Sequence, residues 1–218
     1  MKHEAVLFDL DGTLLNTIAD LTDSMNAALA VLGCPPRSVE ECKLFVGDGV
    51  RLYAERALPQ GRRDEPIVAR CVALMREQYA RRWHVKTRPY DGIDDLLAEL
   101  ARRGVTMAVL SNKPDDFTRL TVEHYFERRG RRFAAVRGVG PDGVAKPDPA
   151  GALAVADALG TAPSAFLYLG DTATDMRTAV AAGMFPAGAA WGFRGVEELL
   201  SAGARALVHH PMELPGLL

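Results

Sequence analysis

A short apolar run, Val6-Leu7-Phe8, stops abruptly at Asp9-Leu10-Asp11-Gly12, the pattern of a buried parallel strand ending in a turn. The next strand-like run spans residues 105–110, so residues 9–104 lie between the two. A right-handed crossover between parallel strands normally contains one helix. An interval of this length therefore holds an inserted domain rather than a connection.

The interval reads as helical. Ile18, Leu21, Met25, Ala28, Leu29 and Leu32 follow a helical period, and Gly33 with Pro35-Pro36 supplies the stop. Ser38 and Glu41 have capping-box spacing before Leu44-Phe45-Val46; Gly47-Asp48-Gly49 then interrupts, and apolar periodicity resumes through Leu52 and Leu58. After a polar loop over residues 61–66, Ile67, Val68, Cys71, Val72, Met75 and Tyr79 mark a further helix. From Arg88 the texture alternates. A helix carries Ile93, Leu96, Leu97 and Leu100, and strands are predicted over 105–110, 133–136, 165–169 and 185–189. Alternation of this kind means a doubly wound parallel sheet covered by helices. The expected fold is α/β, with a Rossmann-like core of residues 1–16 and 87–218 and an all-helical domain inserted over 17–86.

Composition narrows the partners. With 26 basic and 28 acidic side chains in 218 residues, and a formal charge of -2, the chain has no net pull towards nucleic acid or an anionic membrane. The Arg-rich stretches Arg128-Arg129-Gly130-Arg131-Arg132 and Arg81-Arg82-Trp83 read as helix-end charge and solvated faces. No apolar run reaches the ~18 to 20 residues that cross a bilayer, and the run after Met1-Lys2-His3-Glu4 is too short for a signal peptide, so a cytoplasmic location is expected. Cys34, Cys42 and Cys71 form neither a CxxC nor an even set, and the histidines show no metal spacing. Gly47-x-Gly49 opens no strand-turn-helix unit, which excludes a nucleotide loop.

In a doubly wound sheet, ligands gather beyond the carboxyl ends of the strands. Four segments lie there or nearby: Asp9-Leu10-Asp11-Gly12-Thr13, Ser111-Asn112-Lys113-Pro114, Lys146-Pro147 and Gly170-Asp171-Thr172-Ala173-Thr174-Asp175. Clustered carboxylates repel unless a cation or a shared proton offsets them. Mg2+ suits all-oxygen ligands and leaves positions for water and phosphate, whereas zinc would call for His or Cys. Such a site with a nearby Lys and Ser suits phosphoryl transfer, and a carboxylate can itself be the nucleophile.

These segments resemble the motifs of the haloacid dehalogenase superfamily, within it the phosphoglycolate phosphatase-like group. Val6-Leu7-Phe8-Asp9-Leu10-Asp11-Gly12-Thr13-Leu14 is similar to the first motif, Leu110-Ser111-Asn112-Lys113-Pro114 to the second, Lys146-Pro147 to the third and Gly170 to Asp175 to the fourth, in order and at family spacing. The resemblance implies that Asp9 is the nucleophile and a Mg2+ ligand, and that Asp11 is the acid/base and offers its backbone carbonyl to the metal. It implies that Ser111, Asn112 and Lys146 hold the phosphoryl group, and that Asp171 completes the ligands with Asp175 in support. The inserted helices become a cap over the site, and Gly47, Asp48, Gly49 and Arg51 a substrate-selecting loop.

Two positions depart from the pattern. Asp48 replaces an Asn and would repel a carboxylate-bearing substrate unless Arg51 or another cation compensates, and Asn16 replaces an Asp. In Ala190-Trp191-Gly192-Phe193-Arg194-Gly195, similar to the family's loop after the fifth strand, Arg194 either touches substrate or lies on the surface. The implied activity is Mg2+-dependent hydrolysis of a small phosphorylated metabolite, foremost 2-phosphoglycolate, by a monomer or homodimer. Inorganic pyrophosphatase, sugar-phosphate phosphatase, phosphosugar mutase and phosphonoacetaldehyde hydrolase are alternatives, the last needing a cap lysine, Lys43 or Lys86. A phosphoacceptor signalling domain is disfavoured, because its acceptor Asp follows a later strand.

Overall fold

The computed structural model describes residues 3–218; Met1 and Lys2, the first positions of the expected core range, lie outside the described residues. The chain starts with β1 (Ala5–Phe8) and β2 (Leu15–Asn16), then forms α1 (Ile18–Val31), α2 (Val39–Phe45), α3 (Val50–Ala57) and α4 (Glu65–Arg82) before β3 (Arg88–Pro89). It continues through α5 (Ile93–Arg102), β4 (Thr106–Pro114), α6 (Asp115–Tyr125), β5 (Ala135–Val139), α7 (Ala150–Ala158), β6 (Phe166–Gly170), α8 (Ala173–Ala181), β7 (Phe185–Ala189), α9 (Val196–Ser201) and β8 (Ala206–Val208).

Six strands form one parallel sheet in the order β5-β4-β1-β6-β7-β8. All four residues of β1 are buried, as a central strand covered on both faces requires. The alternation of the pleat divides them: Val6 and Phe8 join the cluster containing Ile93, Leu96 and Val122, while Ala5 and Leu7 join the one containing Ala152, Val155 and Ala179. Strand order reverses at β1, between β4 and β6, and there the ligand crevice of a doubly wound sheet opens.

Two predicted strands move. The strand predicted over 133–136 begins at Ala135, because the Phe133 ring packs edge-on against Phe8 and Phe126, 6.4 and 5.8 Å between centroids, as a core plug. β5 then runs through Gly138, where a Cβ would come within 2.6 Å of the Asp115 Cα and the Lys113 carbonyl. β4 continues past Leu110 to Pro114, with its register against β5 shifted in between, so Ser111 and Lys113 stand on the strand itself. The short strands β2, β3 and β8 carry too few residues for a periodic signal.

Helices α1 to α4 all lie between β2 and β3, which pair antiparallel through Leu15–Pro89 and Asn16–Arg88. The segment thus leaves and returns at one place. Asp20, on the first turn of α1, ties that place together by accepting hydrogen bonds from the Lys86 and Thr87 amides and the Thr87 hydroxyl at 2.8–3.0 Å. Ser38 and Glu41 form the capping box at α2. The helices bury Leu21, Met25, Cys42, Tyr53, Cys71 and Met75 in continuity with the core cluster. Among the described residues, no helix is long and apolar enough to cross a membrane.

Candidate active site

Asp9 follows β1 directly and is 5% exposed. The Lys146 ammonium donates to Asp9 Oδ1 and to Asp175 Oδ1, both at 2.6 Å, and to the Leu110 carbonyl at 3.2 Å. Asp175 is also the third residue of the α8 capping box: its Oδ2 accepts from the Thr172 amide and hydroxyl at 3.0 and 2.7 Å. The device that starts α8 therefore also aims a carboxylate at Lys146.

Asp171, at the end of β6, accepts from the Thr13 hydroxyl at 3.1 Å and the Phe193 amide at 2.7 Å. Two glycines leave room for it. A Cβ at Gly12, whose φ is +96°, would lie 2.2 Å from Asp171 Oδ2, and one at Gly192 would lie 2.2 Å from the Asp171 Cβ. Asp9, Asp171 and Asp175, all buried, each present an oxygen within 4.8 Å of the others.

The electrostatics show what this costs. Burial raises the Asp9 carboxyl to about 7, with Asp175 and Asp11 adding to the rise and Lys146 opposing it. Burial, then Asp9 and Asp175, hold Asp171 well above the ordinary carboxylate value. For Lys146 burial opposes the charge, but Asp175 and Asp9 outweigh it and raise the ammonium. Three clustered buried carboxylates, two of them on one ammonium and the third with no cation of its own, leave negative charge uncompensated, and the donors are all oxygen. That set fits a hard divalent cation such as Mg2+ and not a soft metal.

Asp11 is placed differently from this cluster. Both of its carboxylate oxygens lie 2.7 Å from the Lys113 ammonium, which is buried and stands 4.9 Å from the Tyr79 ring centroid. Burial disfavours the Lys113 charge, yet Asp11 and Tyr79 together raise it above the usual lysine value. The side chains gathered for a cation are thus those of Asp9, Asp171 and Asp175, whereas the family resemblance gives Asp175 only a supporting place.

Ser111 is 3% exposed and lines the cavity beside Asp9 and Lys146. Asn112 lines the same cavity with its side-chain polar atoms already engaged. Its amide nitrogen donates to the carbonyls of Lys146 and Gly47 at 2.9 and 3.0 Å, and its oxygen accepts from the Lys146 amide at 2.7 Å. It positions Lys146 and the glycine loop, and the residue keeps its place in the cavity lining beside Ser111.

The loop residues also divide. Gly47 and Gly49 line the cavity. Asp48 points away, accepting from the Thr174 hydroxyl at 2.6 Å and pairing with Arg56 at 2.7 Å. Burial would raise its carboxyl, but Thr174, Arg56 and Arg194 outweigh burial and lower it. The compensating cation is therefore Arg56 and not Arg51, which pairs with Glu55 and Glu65 outside the cavity at 3.2 and 2.5 Å. Arg194 does not line the cavity and is only partly exposed: its guanidinium donates to the carbonyls of Lys43, Leu44 and Val46 at the end of α2. Lys43 and Lys86 pair with Glu40 and Asp23 and stay outside the cavity, so neither supplies the cap lysine of a phosphonoacetaldehyde hydrolase.

Sequence reasoning placed Lys113 among the converging residues without giving it a role, and missed Tyr53, Arg76, Tyr79 and Phe117 in the lining. Lys113 carried a signal, being one of five lysines and standing in a strand-end motif. Tyr79 carried none, since its helical spacing marks it only as core.

A buried acid cluster, bridged by one lysine at the carboxyl ends of a parallel sheet and covered by helices, is the architecture of a phosphoryl-transfer hydrolase. The family model for haloacid dehalogenase-like hydrolases matches residues 3–183. Phosphoglycolate phosphatase 1 of Pseudomonas aeruginosa is 36% identical over 193 residues, covering 86% of this chain and 70% of that protein. N-acetylmuramic acid 6-phosphate phosphatase of the same species is 34% identical over 221 residues, covering 100% of this chain and 96% of that protein. A crystal structure from Lactobacillus delbrueckii subsp. bulgaricus, provisionally assigned as a phosphoglycolate phosphatase, superposes with a TM-score of 0.91 at 31% identity, covering 100% of this chain and 98% of that one. The chain belongs to the haloacid dehalogenase-like hydrolases. Within them it is a phosphatase of the phosphoglycolate phosphatase-like kind.

Proposed function

We propose that this protein is a cytoplasmic, Mg2+-dependent phosphatase of small phosphate monoesters, with 2-phosphoglycolate as its leading substrate, acting through an aspartyl phosphate on Asp9. The observation that carries this reading is the Lys146 ammonium shared at 2.6 Å by Asp9 and Asp175, inside a cluster that Asp171 completes. Asp9, Asp171 and Asp175 would hold Mg2+, which when bound neutralises these carboxylates and the phosphoryl oxygens.

Lys146 engages Asp9 Oδ1 and leaves Oδ2 to attack phosphorus. The bond from phosphorus to the alcohol oxygen breaks, and Asp11 gives that oxygen a proton. Asp11 then takes a proton from water, whose oxygen attacks phosphorus and releases phosphate and the Asp9 carboxylate. Proton transfer of this kind contributes about 10^2- to 10^4-fold. Ser111 and Lys146 bind the phosphoryl oxygens. The segment 17–86 serves as the cap, closing on the core of 1–16 and 87–218 and excluding water.

Asp9→Asn tests the mechanism: Mg2+-dependent phosphate release is expected to disappear, and retained turnover defeats the aspartyl nucleophile. A second reading, hydrolysis of a sugar phosphate, is supported by the N-acetylmuramic acid 6-phosphate phosphatase that aligns over 100% of this chain. Assaying 2-phosphoglycolate against N-acetylmuramic acid 6-phosphate and comparing their kcat/KM ranks the two.

A further inference from the structure

The chemistry above leaves one buried charge without a task. Lys113 is 7% exposed, lines the cavity, and directs its ammonium at both oxygens of Asp11 at 2.7 Å. Asp9 and Asp175 share Lys146, so among the acids lining the cavity only Asp11 faces Lys113. An ammonium taken out of water is costly unless paired, and the Tyr79 ring at 4.9 Å supplies only part of what water would. Yet Asp11 cannot turn to a leaving oxygen while both of its own oxygens stay on Lys113. A substrate whose alcohol carries its own anionic group removes the conflict, because that group takes the ammonium as Asp11 turns away.

Two further observations agree. Ser111 and Lys113 stand two residues apart on β4 and both line the cavity, which separates them by about 6–7 Å along the strand. This matches a phosphoryl group and a carboxylate joined through one or two carbons. Asp48, the acid that would repel such a carboxylate, lies outside the cavity and is paired with Arg56.

We propose that Lys113 is the receptor for a carboxylate on the alcohol portion of the substrate, the residue that selects among phosphate monoesters of similar size. The proposal rests on the phosphatase reading with Asp11 as acid/base. It makes Lys113 a specificity-determining residue, with Tyr79 holding the ammonium in place.

The test compares 2-phosphoglycolate with 2-hydroxyethyl phosphate, an ester of similar size that lacks the carboxylate, using the full chain with Mg2+. The wild type is expected to favour 2-phosphoglycolate roughly 10- to 100-fold in kcat/KM, the range of a charged hydrogen bond. Lys113→Met should collapse that ratio, chiefly by raising KM rather than lowering kcat for the carboxylate-bearing ester, and Lys113→Arg should keep most of it. Glycolate should inhibit the wild type where ethylene glycol does not, which decides the matter even if Lys113→Met gives no cooperative thermal melt. A wild type without preference, equal inhibition by glycolate and ethylene glycol, or a Lys113→Met variant that loses both esters equally overturns the proposal and leaves the phosphatase reading standing. Absence of Mg2+-dependent turnover of any phosphate ester, p-nitrophenyl phosphate included, overturns both.

Discussion

The floor of the cavity and the glycine loop above it are both rich in charge, but the charges are managed in opposite ways. On the floor, Lys146, Asp9 and Asp175 are almost fully buried and form ion pairs only with one another. In and after the loop, Arg51, Glu55 and Glu65 keep side-chain exposures of 53, 30 and 67% and pair in open water. Buried charges constrain one another strongly because each loses its solvent; exposed pairs are screened and interchangeable. On the proposed function, chemistry is placed by the first region and the second tunes little.

The sharpest way to break this contrast is Lys146→Met. It leaves Asp9 and Asp175 facing each other unopposed, and the expected result is loss of measurable turnover with a stability decrease of about 3 kcal/mol by thermal or urea denaturation. A variant with near-normal kcat would mean that the floor is not organised around this ammonium. Next in size is Thr13→Val, which removes the hydroxyl bonded to Asp171 at 3.1 Å. Mg2+ affinity measured by calorimetry should fall about 10- to 100-fold, the usual cost of losing a partner of a metal-holding side chain.

A pH experiment sharpens the same contrast. Asp9 has its carboxyl raised to about 7 from 3.8, so the metal-free folded state binds a proton that the unfolded chain releases between those values. Its contribution to stability is complete below about pH 4 and is lost as pH rises through about 7. Metal-free protein should thus lose this increment towards neutrality, and saturating Mg2+, which competes with the proton, should raise Tm more at pH 8 than at pH 5. The smallest effects belong to the loop. Asp48→Asn should cost about 1 kcal/mol through Thr174 and Arg56 while leaving the ranking of 2-phosphoglycolate, pyrophosphate and sugar phosphates as it was; Arg51→Ala should leave both Tm and kcat/KM unmoved.

The same division explains what was readable in advance. Asp9, Asp11, Asp171 and Asp175 were legible because a parallel sheet puts whatever follows its strands into one crevice, whereas Ser111, inside β4, and Lys146, in the loop well past β5, were legible through the motifs they stand in. Arg51 was chosen over Arg56 by adjacency to the loop. What decides is that Arg56 folds back, bonding the Phe45 carbonyl at 3.0 Å and placing its charge beside Asp48. Tyr79 and Arg76 meet the cavity only because α4 packs against α1 and α3, which periodicity cannot reveal. Phe133 was assigned to a strand because apolar residues look alike in strand and plug; only its ring neighbours separate the two.

Asn112 joins the two regions through a single carboxamide. Three of its contacts reach two different places: a pair with the Lys146 backbone and one with the Gly47 carbonyl. If segment 17–86 is the cap proposed above, lifting it would break the Gly47 contact and leave the pair with Lys146 whole. The lysine that sets the charge balance would thereby be insulated from the wobble of such a lid, and the pocket would stay preassembled through substrate admission and product escape.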